Sequence, residues 1–163
     1  MANPGILDYA HQVNEAGMDA IINNSRTRAT ATNPLGINWI DGVGAPASMT
    51  SGTSFTFTAA NLLTGIIVAN PTASVTATLD TAANIVAAVN TVSSGAVVGD
   101  YICVLIVNGS AGAFTVTLAA GTGGGFDTNQ AAGSRIITQN ASKYCFIRLT
   151  NVTPGAEAYV IYS

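Results

Sequence analysis

The sequence predicts a mainly β fold: a β-sandwich or jelly-roll-like domain with short helical inserts, preceded by an N-terminal helix and an extended arm. Residues 55–58 set Phe55 and Phe57 against Thr56 and Thr58, the period-two alternation of a half-buried strand. About eight short runs of this kind follow to the C-terminus with turn residues between them, the spacing of a sandwich or jelly roll. Residues 3–24 instead repeat apolar side chains every three or four positions, which is helical. The chain is therefore read as two regions, 1–54 for helix and arm and 55–163 for the β domain.

In the first region Ile6, Ala10, Val13, Gly17 and Ile21 share one helical face, and Tyr9 widens it. Asn3 suits the N-cap and Pro4 the first helical position. Asp8, Gln12, Glu15 and Asp19 form the polar stripe. Gly17 weakens the middle by about 1 kcal/mol relative to alanine. Burial of Ile6, Val13 and Ile21, at ~1.5–3 kcal/mol each, fixes such a helix only against a partner surface. Residues 25–54 have no sustained period and carry Arg26, Arg28, Pro34, Gly36, Gly42, Gly44 and Pro46. They also hold the only tryptophan, Trp39, between Ile37 and Ile40. Tryptophan is enriched among binding hot spots, so Trp39 reads either as an interface anchor or as a side chain folded back on its own domain. The partner-facing set expected from this region is Ile6, Tyr9, Val13, Ile21, Arg26, Arg28, Ile37, Trp39 and Ile40.

In the second region Thr58 is placed to cap a short helix carrying Leu62 and Leu63. Strands are expected over 65–70 and 75–79, separated by the Asn70-Pro71 turn. Asp80 reads as the N-cap of a helix to Val89, with Ile85, Val86 and Val89 inward. Residues 100–107 are apolar on both faces, as in a central strand. Asn108-Gly109 then opens a connection into 114–118, and 134–138, 144–149 and 158–162 complete the set.

Only 8% of residues are charged, with a net charge of −3, against about 25% charged in an ordinary soluble domain. Five Lys and Arg side chains neutralise little of a phosphate backbone, so no nucleic-acid partner is expected. The mean hydropathy is +0.42, yet the longest strongly apolar run, 101–107, is far short of the ~20 residues of a spanning helix. No membrane partner is expected. The first basic side chain is Arg26, so a secretory leader with a basic start is not expected either. Cys103 and Cys145 lie in apolar runs and read as buried thiols rather than a disulfide.

No enzyme, cofactor or metal is expected. His11 has Asp8 and Glu15 on the same helical face, which reads as a solvated polar stripe. The run Gly121–Gly125 lacks a GKS or GKT ending and places Phe126 where a dinucleotide fingerprint needs glycine, so it reads as a loop tip. The abundant serines and threonines have no histidine within the β domain to act as a base. Of Asp80, Asp100, Asp127 and Glu157, the first two read as a helix cap and a turn residue. Tyr101, Tyr144, Tyr159 and Tyr162 read as core or subunit packing.

Several segments resemble a β-sandwich module of tailed-phage and related virion structural proteins, a group that includes capsid decoration (cement) proteins and some tail appendages. The cues are the paired leucines before Gly65, the Thr81-Ala82-Ala83 helix start, Gly99-Asp100 before a central strand, "TLAAGTG" at 117–123 and Gly155-Ala156-Glu157. The resemblance covers residues 58–90, 95–124 and 148–162 and does not extend to 1–54. It implies a protein made in the host cytoplasm and carried on the capsid surface of the virion, where it binds the major capsid protein and bridges its subunits. Together with the low charge it implies self-association, as a homotrimer. The alternative is a tail-fibre, tail-spike or baseplate component, with glycan binding.

Overall fold

A computed structural model describes residues 45–93 and 95–163. Along the chain run β1 (Ala47–Ser51), β2 (Ser54–Phe57), α1 (Ala59–Leu63), β3 (Ile66–Pro71), β4 (Val75–Leu79), α2 (Ala82–Val92) and β5 (Tyr101–Asn108). There follow β6 (Val116–Ala119), β7 (Gly124–Phe126), a 3-10 turn (Ala132–Arg135), β8 (Ile136–Ile137), β9 (Ser142–Asn151) and β10 (Ala158–Tyr162). The fold is mainly β, with two sheets. The large sheet has six strands in the order β1-β3-β5-β9-β10-β7, and the small sheet has four in the order β2-β4-β6-β8.

The first six strands alternate between the sheets. A strand of the large sheet turns into a strand of the small one, and a helix returns the chain to the large sheet beside the previous strand. Parallel neighbours need such a crossover, and α1 and α2 supply the first two. The ladders β1-β3, β3-β5, β2-β4 and β4-β6 are accordingly all parallel. Antiparallel pairing is confined to β5-β9, β9-β10 and β6-β8. These parallel ladders differ from the antiparallel pairing that builds a jelly roll. The sequence carries a mark of the coiling, the tetrad Thr-Ala-Ala-Asn at 58–61 and again at 81–84.

Both helices start by the same local chemistry. Thr58 Oγ1 accepts the Asn61 N–H at 3.2 Å, and Thr81 Oγ1 accepts the Asn84 N–H at 3.2 Å. The expected cap at Thr58 is present, while the cap of α2 is Thr81 and not Asp80. Inward side chains of both sheets and both helices meet in one cluster, with Phe57, Leu62, Ile67, Ile85, Val104 and Ile147 all at 0–1% exposure.

Other expectations shift in detail. The Asn108-Gly109 connection leads from β5 in the large sheet to β6 in the small one. The expected strand over 134–138 is divided between the 3-10 turn and the two-residue β8. β1, within the span read as arm, joins the edge of the large sheet with Ala47 and Met49 packed against the core. Part of the glycine run forms β7, which pairs parallel with β10, rather than a loop tip.

Candidate functional site

The partner-facing set Ile6, Tyr9, Val13, Ile21, Arg26, Arg28, Ile37, Trp39 and Ile40 lies outside the described residues, as does His11. Within them, the polar side chains singled out from sequence serve as local ties. Asp80, at the exit of β4, joins the two helix starts. Its Oδ2 accepts the Ala59 N–H of α1 at 2.8 Å, and its Oδ1 accepts the Thr81 N–H at 2.8 Å and Asn84 Nδ2 at 2.7 Å. Burial works to raise the Asp80 pKa, but the bonds from Ala59, Asn84 and Thr81 together outweigh it and hold the carboxyl below the ordinary value.

This fixes a sign. A carboxylate with a depressed folded-state pKa contributes stability above its unfolded pKa and loses it as pH falls through the folded one. Asp80→Asn should therefore cost about 1–2 kcal/mol at neutral pH, a modest figure because the site is only partly buried. The gap to wild type should close as the pH drops below about 4. Urea unfolding of both proteins across this range measures it, and a pH-independent gap would assign the cost to packing instead.

The other carboxylates also bind backbone N–H groups nearby. Asp100 Oδ2 accepts from Val97 at 2.9 Å, Asp127 Oδ1 from Asn129 at 3.0 Å, and Glu157 Oε2 from Gly155 at 2.9 Å. Tyr159 is buried in the core, where its hydroxyl donates to the Asp80 carbonyl at 3.0 Å and accepts the Gly121 N–H at 2.8 Å. The glycines pack over this bridge. A Cβ on Gly124 would lie 2.1 Å from the Tyr159 ring, so the missing side chains make room for tyrosine.

Cys103 and Cys145 are free thiols on adjacent strands. Cys145 faces the core, and burial pushes its pKa up to about 12. Cys103 faces outward and is half-buried, its pKa also raised by burial. No group of three or more His, Cys, Asp or Glu side chains placed to hold a metal ion occurs among the described residues. A groove of about 370 Å³, lined by Thr50, Asn70, Pro71, Thr72, Gly109, Ala111 and Phe114, carries only neutral side chains.

The outward faces of the two sheets are chemically unlike. On the small sheet the register sets Ser54 beside Thr76 and Thr76 beside Thr117, and Thr56 beside Thr78. This face is mostly hydroxyl-bearing, with Ala119 beside Thr78 and the exposed Ile136 beside Thr117 at the β8 edge. On the large sheet the outward rows are Val68–Val107–Ser142, Ile66–Leu105–Tyr144, Cys103–Phe146–Tyr162 and Tyr101–Arg148–Val160. These side chains are exposed or half-buried, with Tyr144 at 58% and Ile66 at 39%. The Tyr144 and Phe146 rings stack at 6.3 Å. Arg148 is the only charge in these rows and stands 5.9 Å over the Tyr101 ring.

This apolar face is the candidate site. The apolar runs over 100–107 and 144–149 read as strands from sequence, but only the register joins their outward side chains into one surface. Comparison with known proteins finds no match: no family model, no curated protein and no solved structure corresponds to the chain.

Proposed function

We propose that this is a virion structural protein of the capsid-decoration type, which adheres to the outer face of a shell and bridges major capsid subunits as a homotrimer. The observation that carries the reading is the outward face of the large sheet, an apolar surface whose single charge is Arg148. Such a patch suits adhesion to protein, and the low charge of the whole chain suits a molecule packed among neighbours. The resemblance of residues 58–90, 95–124 and 148–162 to virion modules supplies the setting. The fold is read as a sandwich, its two sheets enclosing the common core.

In this reading the helix and arm of the N-terminal region reach the capsid subunits, and several modest contacts combine through effective concentration. Deleting residues 1–44 should leave a folded β domain whose affinity for capsids drops at least about tenfold. Co-sedimentation of both forms with purified shells measures this, and full occupancy by the shortened protein would remove the arm from the mechanism. Labelling of intact particles decides between shell and tail. A second reading, a tail component that touches glycans, is favoured by the exposed Tyr144 ring beside Phe146. Glycan binding abolished by Tyr144→Ala would select it.

A further inference from the structure

We propose that the groove at the exits of β1 and β3 is a binding site for a neutral sugar ring. The inference goes beyond the reading above, because it concerns a ligand rather than attachment to a shell. It holds whether the protein sits on shell or tail.

The groove has a volume of about 370 Å³, at the lower end of the range of about 300–1,000 Å³ usual for small-molecule sites. Three segments build it: the end of β1 with Thr50, the end of β3 and its turn with Asn70 and Thr72, and the β5–β6 connection with Phe114. The register brings them together. Thr50 pairs with Asn70, and Ala69 pairs with Asn108, where the connection starts. Every residue that lines the groove is among those described.

Three glycines seat its polar and aromatic side chains. A Cβ on Gly109 would stand 2.6 Å from Asn70 Oδ1, one on Gly52 2.7 Å from Thr72 Oγ1, and one on Gly112 2.6 Å from the Phe114 ring. Each of these groups thus lies against backbone that carries no side chain. The groove is shaped before a ligand arrives, which lowers the cost of binding.

Its polar groups have bonding capacity to spare. Asn70 Nδ2 makes one long bond, 3.4 Å to Ser48 Oγ, and no described donor reaches its Oδ1. That oxygen is open to solvent. Thr50 and Thr72 are exposed, and their hydroxyls bond to none of the described residues. An amide and two hydroxyls offer donors and acceptors together, the complement of a ring of sugar hydroxyls. The half-buried Phe114 ring and the exposed Ala111 supply apolar surface for the C–H face of the sugar. No charged side chain lines the groove. An acidic ligand therefore finds no counter-charge there, and a nucleotide finds no cation for its phosphates.

The test titrates the full-length chain, by saturation-transfer NMR, with glucose, galactose, mannose and N-acetylglucosamine, as free sugars and as methyl glycosides. At least one should bind with a Kd of about 1 mM, the scale of so small a ligand. Preference for the methyl glycoside marks a sugar at the end of a chain, and preference for the free form marks a metabolite. Phe114→Ala should weaken binding at least about tenfold. Thr50→Trp, at an exposed edge-strand position that accepts an aromatic ring, should abolish it by filling the groove. This variant should melt within a few degrees of wild type, so it decides the matter even where Phe114→Ala unfolds. Tyr144→Ala, on the outward face of the large sheet, should change nothing. The proposal is overturned by the absence of binding at up to about 20 mM of every probe, or by binding that survives both groove variants. Binding lost in Tyr144→Ala but kept in the groove variants moves the sugar to the large-sheet face and overturns it equally. Tighter binding of glucuronate or of adenosine rejects a neutral sugar as the ligand. None of these results touches the capsid reading, which co-sedimentation with shells decides separately.

Discussion

Replacing Asn108 with alanine is expected to destabilise the protein by about 3–5 kcal/mol, among the largest effects of any single side chain here. Asn108 ends β5 and is fully buried. Its Nδ2 donates to the carbonyls of Phe114 and Ile137, both at 2.9 Å, and its Oδ1 accepts the Ser110 N–H at 3.1 Å. One side chain thereby ties the large sheet to the approach of β6 and to β8 of the small sheet. Alanine leaves up to three backbone groups without partners, each costing about 1–3 kcal/mol where water does not reach. Against a total stability of 5–15 kcal/mol typical of domains, thermal unfolding should occur about 10–15 °C lower. Asn108→Asp sharpens the test. Its carboxylate cannot donate to the two carbonyls, so this variant should be least stable at neutral pH and recover in part on acidification. A melting point within a few degrees of wild type for Asn108→Ala would mean that the two sheets do not depend on this tie.

The second large effect is expected at Gly121, where alanine should cost about 3 kcal/mol or more. A Cβ there would stand 2.3 Å from the Leu79 carbonyl oxygen and 2.5 Å from that of Asp80. Both contacts are backbone, so no side-chain rotation relieves them. Moving the segment away would stretch the bond from the Gly121 N–H to the Tyr159 hydroxyl, which also donates to the Asp80 carbonyl. The loss therefore spreads through a buried bridge between the end of β4, the glycine segment and β10. Gly133→Ala is the matched control, since a Cβ at that position meets nothing within 4 Å. It should change stability by no more than about 0.5 kcal/mol. Equal effects at the two positions, measured by denaturant unfolding, would show that chain entropy dominates over the close approach.

The two regions of chemistry differ in how far the sequence exposes them. The strands over 75–79 and 158–162 agree with β4 and β10 to the residue, and the cap at Thr58 is as expected, because alternation and capping are local properties. β1 was hidden because its five residues alternate only Ala47 and Met49 against serine and threonine within a glycine-rich stretch. The Thr-Ala-Ala-Asn repeat at 58–61 and 81–84 is the local signal of the coiled, parallel connectivity. All residues of the apolar face but Ser142 fall within strands expected from sequence. Nothing local distinguished the face that lines the core from the face that does not.

The roles of polar residues divide in the same way. Asp80 stood out as a helix cap by its position before a helical run. Its bond to Ala59, 21 residues away, needs α1 and α2 side by side. Asn108 read as the first residue of a turn, and only its burial beside Ile137, 29 residues on, makes it a cross-tie.

By itself, then, the sequence determined that the chain is mainly β, where most strands and both short helices fall, and that few charges are available for chemistry or solubility. Alternation and capping act over two to four residues, so they survive without knowledge of neighbours. The tertiary structure alone decided that the first strands pair in parallel across two sheets, that the glycine run shelters Tyr159, and that ten outward side chains, a serine and an arginine meet on one face. Those outcomes follow from which segments the crossovers bring together, and period-two patterning is the same whichever neighbour a strand acquires.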